Sequence, residues 1–105
     1  MFVTEYEPAQ ASRRRAPRAP VSLDARIGRG GLDRTACKVS DLSINGARVH
    51  SYCALVRGTL IWLTLPALGQ VAATVIWASD FEAGCRFLAP LDESSFATLV
   101  ALGAA

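Results

Sequence analysis

The sequence predicts an all-β fold: a six-stranded antiparallel β-barrel with a flexible N-terminal arm and a short C-terminal α-helix. Six short segments of alternating or aliphatic character are separated at short intervals by Gly, Pro, Asp or Asn. None of the gaps between them carries the apolar period of a helix. An open sheet of six strands would expose two edges, and closing it on itself removes both.

Residues 1 to 12 are polar and aperiodic and read as a flexible tail, with residues 13 to 105 forming a single domain. The run SRRRAPRAP carries Pro17 and Pro20, each of which pushes its predecessor out of helical space, so an extended arm leads into the first strand. From Val21 the chain alternates, with Val21, Leu23, Ala25 and Ile27 on one face and Ser22, Asp24 and Arg26 on the other. Gly28, Gly30, Gly31 and Asp33 then make a turn. Thr35 to Leu42, Ala47 to Tyr52, Thr59 to Leu65, Val71 to Ser79 and Gly84 to Ala89 supply the other strands. Asp92 caps a helix in which Phe96, Leu99 and Val100 stand at i, i+3 and i+4, with Gly103 as its stop, and this helix plugs or flanks the barrel.

At 105 residues and 51% hydrophobic, the chain has room for one core. Its net charge of +2 is too small to wrap a nucleic acid along the whole surface, so any anion site is local. Arginine supplies every basic residue except Lys38, and its planar fork binds phosphates and guanine edges at two points. No apolar run approaches the roughly 20 residues that span a bilayer, and no leader pattern opens the chain, which reads as cytoplasmic without membrane insertion. Cys37, Cys53 and Cys85 lack CxxC spacing and read as reduced thiols packed as small hydrophobes. His50, the only histidine, reads as a surface strand residue. With no metal-ligand cluster, nucleophile–base arrangement or P-loop, no catalytic residue, metal or cofactor is expected, and an enzyme is the least supported class.

Two constellations carry chemistry. Arg13, Arg14, Arg15 and Arg18 crowd the junction between the arm and the first strand, either as a solvated basic tail or as a clamp folding back onto the sheet. In Asp41-Leu42-Ser43-Ile44-Asn45-Gly46, Asp41 and Ser43 share one face of a strand. Upstream, Cys37 and Val39 have that same parity yet are apolar, so the buried face switches phase before Leu42, and a bulge near Ser40 is the simplest device. Here too a second reading stands: a type I′ hairpin at Asn45-Gly46 with Asp41 and Ser43 satisfying local backbone groups.

Arg14-x-x-x-Arg18 followed by Asp41-x-Ser43-x-x-Gly46 resembles the signature of PilZ domains. The segments GTLIWLTLPALG, VAATVIWAS and GCRFLAP resemble that family's later barrel strands, so the likeness runs over roughly residues 13 to 91. Asn45 stands where many members carry glycine. The resemblance implies a receptor for cyclic di-GMP, with Arg13, Arg14, Arg18, Asp41, Ser43 and Gly46 as ligand-binding residues and the arginine arm closing over the nucleotide to alter contact with an unidentified downstream protein. In this family an arginine at position 13 implies an intercalated ligand dimer, while Arg15 stays solvated. The residue chemistry agrees: arginine donates two hydrogen bonds to guanine O6 and N7 or to phosphate, Asp41 accepts from guanine N1 and N2 or holds an arginine, Ser43 offers a hydroxyl, and Gly46 permits close approach. Trp62 and Trp77 read as packing residues, Trp77 being the better candidate for base stacking, and Arg86 should leave the core face, with contact to the ligand the less favoured of its two readings. A PilZ-like interaction module independent of nucleotide is the alternative. A barrel binding single-stranded nucleic acid is weaker, since few exposed aromatics interleave with the basic residues.

Overall fold

The computed structural model describes residues 18–29 and 34–104. The N-terminal tail, Arg13, Arg14, Arg15 and the turn expected at Gly30, Gly31 and Asp33 lie outside the described residues. Six strands and one helix follow in chain order: β1 (Ala19–Gly28), β2 (Arg34–Leu42), β3 (Gly46–Ser51), β4 (Leu60–Leu65), β5 (Gly69–Ala78), β6 (Glu82–Phe87) and α1 (Glu93–Gly103). The strands close into an antiparallel barrel in the order β1-β2-β3-β6-β5-β4. Thus β6 inserts between β3 and β5, and β1 meets β4, so no strand is left with a free edge.

Alternation fills the barrel. In β1, Val21, Leu23, Ala25 and Ile27 point inward, and Val39, Val49, Ile61, Leu63, Ala73, Val75 and Ala83 from the other strands lose all contact with solvent. Burying each of the larger of these side chains contributes about 1.5–3 kcal/mol. Strands β5 and β6 begin two residues earlier than alternation suggests, because Gly69 and Glu82 already pair in the ladders.

Cys37 and Cys85 belong to this core, and all three cysteines are free. Burial pushes the Cys37 thiol up to about 12, with the nearby Cys85 and Asp24 charges adding to it, and burial raises Cys85 to about 11. Both therefore stay neutral near pH 7 and pack as small hydrophobes.

Helix α1 begins at Asp92, whose carboxylate accepts the Ser95 N–H at 2.7 Å, a bond that holds its pKa below the usual value. It flanks the barrel along β1 and inserts Leu99 into the core. The helix stops at Gly103, as the sequence suggests, though without a left-handed turn there. Gly103 is the last helical residue and is buried, and a Cβ there would stand 2.8 Å from Leu23 Cγ. Its missing side chain lets the helix close onto β1.

Candidate functional site

The outer face of one wall carries a row of residues that register alone brings together. Pro20 of β1 faces Asp41 of β2, Asp41 faces Arg48 of β3, Arg48 faces Gly84 of β6, and Gly84 faces Trp77 of β5.

Two bulges aim the ends of this row. In β2, Val39 and Leu42 are both buried, which strict alternation forbids. The ladder to β3 skips Ser40, so the phase switches there and Asp41 swings outward, as the sequence pattern predicts. In β5, Val75 faces the core, and Trp77, two residues on, should do the same. The ladder to β6 skips Ile76, and Trp77 is turned out with 38% of its surface exposed. The β1–β2 ladder shifts as well, between Pro20 and Leu23.

At the lip of the site, Arg18 Nη2 donates to Asp41 Oδ2 at 2.7 Å. The Arg18 side chain is 62% exposed, so this pair adds at most about 1 kcal/mol to stability. Its effect is positional: a half-buried carboxylate fixes where an exposed guanidinium sits.

The turn after Asp41 is tied down on several sides. Ser43 Oγ accepts from the backbone N–H of Asn45 and of Gly46, each at 3.2 Å, while Ser43 N–H donates to the Gly46 carbonyl at 2.9 Å. Phe87 N–H donates to the Asn45 carbonyl and Leu91 N–H to that of Ile44, both at 2.8 Å, linking the turn to β6 and to the segment before α1. Neither Asn45 nor Gly46 has a positive φ, so this is not the type I′ turn that Asn-Gly suggests; the Ser43 side chain does the turning instead. Gly46 is required for a different reason. A Cβ there would collide with the Cys85 carbonyl, and only glycine lets β3 come this close to β6.

Between these features lies a groove of about 300 Å³ lined by Arg18, Asp41, Arg48, Trp77, Arg86 and the Ser43–Gly46 turn. Three arginines against one carboxylate make it a local anion site on a chain of mild net charge. The Trp77 indole lies so close to Gly84 that a Cβ at position 84 would strike it. The Arg48 guanidinium carbon stands 6.0 Å from the Trp77 ring centroid. Arg48 Nε is buried without a hydrogen-bond partner among the described residues, an arrangement that costs about 1–3 kcal/mol.

Of the six residues singled out for ligand binding, Arg18, Asp41, Ser43 and Gly46 line this groove, while Arg13 and Arg14 lie outside the described residues. Arg86 also lines it, and so does Trp77. Sequence pattern does not single out Arg48 or Gly84; the only available signal was that Arg48 has the outward parity of Gly46. Trp62 instead sits in β4 opposite Ala72 and Gly28. His50 is a half-exposed strand residue, its Nε2 2.8 Å from Ser40 Oγ and 3.5 Å from Glu82 Oε2. Among the described residues, no group of three His, Cys, Asp or Glu side chains could hold a metal, and no helix is long and apolar enough to cross a membrane.

A family model described as PilZ domain matches residues 12–104. The fold is similar to a crystal structure of YcgR in complex with c-di-GMP from Escherichia coli, at a TM-score of 0.61 and 19% identity, over 86% of this chain and 44% of that one. The chain thus spans less than half the length of that relative, and the likeness is one of fold. No curated protein matches the chain.

Proposed function

The chain belongs to the PilZ domain family, and we propose that it is a non-enzymatic receptor for cyclic di-GMP that relays the signal through contact with a partner protein. One observation carries the reading: the Arg18–Asp41 pair and the Ser43–Gly46 turn, distant in sequence, meet in one arginine-lined groove.

The chemistry of each group suits a dianion bearing two guanines. Arg18 spends one edge of its guanidinium on Asp41 and has donors left for guanine O6 and N7 or a phosphate oxygen. Asp41, besides holding Arg18, accepts from the guanine N1–H and N2–H. The Ser43 hydroxyl holds the turn in shape, and Trp77 offers an exposed ring on which a base stacks. Arg86 supplies a further phosphate donor at the groove wall. In this reading Arg13 and Arg14 close over the ligand from the arm, and Arg13 holds a second, stacked ligand molecule. Ordering of that arm by ligand changes the surface offered to the partner. A nucleotide-independent interaction module would have no use for a row of bulge-aimed polar side chains.

Calorimetry with cyclic di-GMP tests this. The wild type is expected to bind at micromolar or lower concentration with two ligands per protomer at saturation. Arg18→Ala and Asp41→Ala are each expected to lose at least about tenfold in affinity, since each removes a charged hydrogen-bond partner, while Arg18→Ala changes thermal stability by less than about 1 kcal/mol. Wild-type binding no tighter than millimolar sinks the receptor, and one ligand per protomer at saturation sinks only the ligand dimer.

A further inference from the structure

We propose that a second surface of the barrel, centred on Tyr52 and Phe81, joins two copies of this chain as a two-fold symmetric dimer. The inference stands apart from the nucleotide reading, because this surface shares no lining residue with the arginine groove.

Two residues along the strands from the row of Asp41, Arg48 and Gly84, the pairing places Asp24 opposite Lys38, Lys38 opposite His50 and His50 opposite Glu82. This charged row closes off the arginine groove. Two residues further, Arg26 faces Ala36, Tyr52 follows the end of β3, and Phe81 precedes β6, where its carbonyl accepts the Ser51 N–H at 3.0 Å. The Tyr52 and Phe81 rings meet edge to face with centroids 5.8 Å apart, and together with Ala36, Lys38 and His50 they line a groove of about 630 Å³. Yet Tyr52 is 93% exposed and Phe81 60%. A single exposed ring is ordinary, whereas two adjacent rings beside an open groove are the kind of patch that marks a docking surface. Such rings bring large rigid area to an interface with few rotamers to freeze.

The charges around the rings select the occupant. On the β1–β2 side stand Arg26 and Arg34, next to the Lys38–Asp24 pair at 2.8 Å, and on the β6 side Asp80 and Glu82 flank Phe81. Among the described residues, Arg26, Arg34 and Asp80 form no salt bridge. The strand order β1-β2-β3-β6 sets Ala36 and Tyr52 between the basic and the acidic flank. A two-fold axis through that middle exchanges the flanks, so the basic side of each copy meets the acidic side of the other, and the aromatic rings meet at the centre. Both ends then attract. A partner of uniform sign, such as a nucleic acid, would match one flank and be repelled by the other.

Sedimentation velocity on the full chain without nucleotide tests this. The wild type is expected to dimerise with a Kd of about 10–100 μM, as suits a small interface with one aromatic centre. Tyr52→Ser should raise that Kd at least about tenfold, and since the side chain is exposed, circular dichroism should show an unchanged fold. Arg26→Glu and Asp80→Lys, each placing like charges across both ends of the contact, should also weaken it at least about tenfold. Mixed in equal amounts, these two variants should associate within about threefold of the wild-type Kd, because the new carboxylate of one chain then faces the new ammonium of the other. A wild type that stays monomeric at about 500 μM overturns the inference. So does a Tyr52→Ser variant that dimerises like the wild type, or a mixture that associates no better than either variant alone.

Discussion

Strands β4 and β5 pair through six consecutive partners, from Leu60 with Thr74 to Leu65 with Gly69, without a shift. The β1–β2, β2–β3 and β5–β6 ladders, by contrast, each contain one. The β4–β5 ladder obeys alternation over its whole length, so what those paired residues show to solvent is what their sequence parity dictates. The shifted β2–β3 and β5–β6 ladders break alternation at Ser40 and at Ile76, and both breaks turn a side chain outward into the same groove. A bulge gives up local ladder bonding and gains a side-chain direction that no regular strand offers. Between the two bulged strands run β3 and β6, which pair without a shift and hold the bulges at a fixed separation.

If that contrast is right, substitutions beside the shifted ladders and on the regular one have unequal effects. The largest is expected at Gly46, where a methyl group meets the Cys85 carbonyl: Gly46→Ala should destabilise by about 3 kcal/mol in denaturant titration, the upper range for overpacking, since backbone must move. Ser43→Ala leaves the Asn45 and Gly46 N–H groups without their hydroxyl acceptor and should cost about 1–2 kcal/mol, with faster hydrogen exchange at those two amides. Gln70→Ala, on the exposed face of the regular ladder opposite Thr64, should stay within about 0.5 kcal/mol of wild type. Equal costs at Ser43 and Gln70 would show that the site turn is no more specified than that ladder.

The strands, their number and the closing helix are legible in the sequence because each depends on local parity and turn chemistry. The bulge at Ser40 is legible too, since a polar pair, Asp41 and Ser43, takes over the parity that Cys37 and Val39 had held. That at Ile76 is not, because Val75, Ile76 and Trp77 are all apolar and a phase slip among them leaves no trace. Arg48 and Gly84 escape for a different reason. Their neighbourhood is set by the pairing of β3 with β6, strands separated by two others along the chain, and no local pattern encodes that register. The Asn45-Gly46 pair shows the converse error: a strong local turn signal is overridden by a serine two residues earlier.

Gly103 presses the end of α1 against Val21 and Leu23, so the last described helical turn and the first described strand meet at one corner of the molecule. Position 18 lies three to five extended residues upstream of that contact, about 10–17 Å away. A six-residue linker, reaching up to about 20 Å, would span it and could join position 104 to position 18. A circular permutant made this way and opened at the turn between Leu65 and Gly69 would break no strand pairing. Its new ends would emerge at the turn joining β4 to β5, a turn that contributes no residue to the lining of the arginine groove.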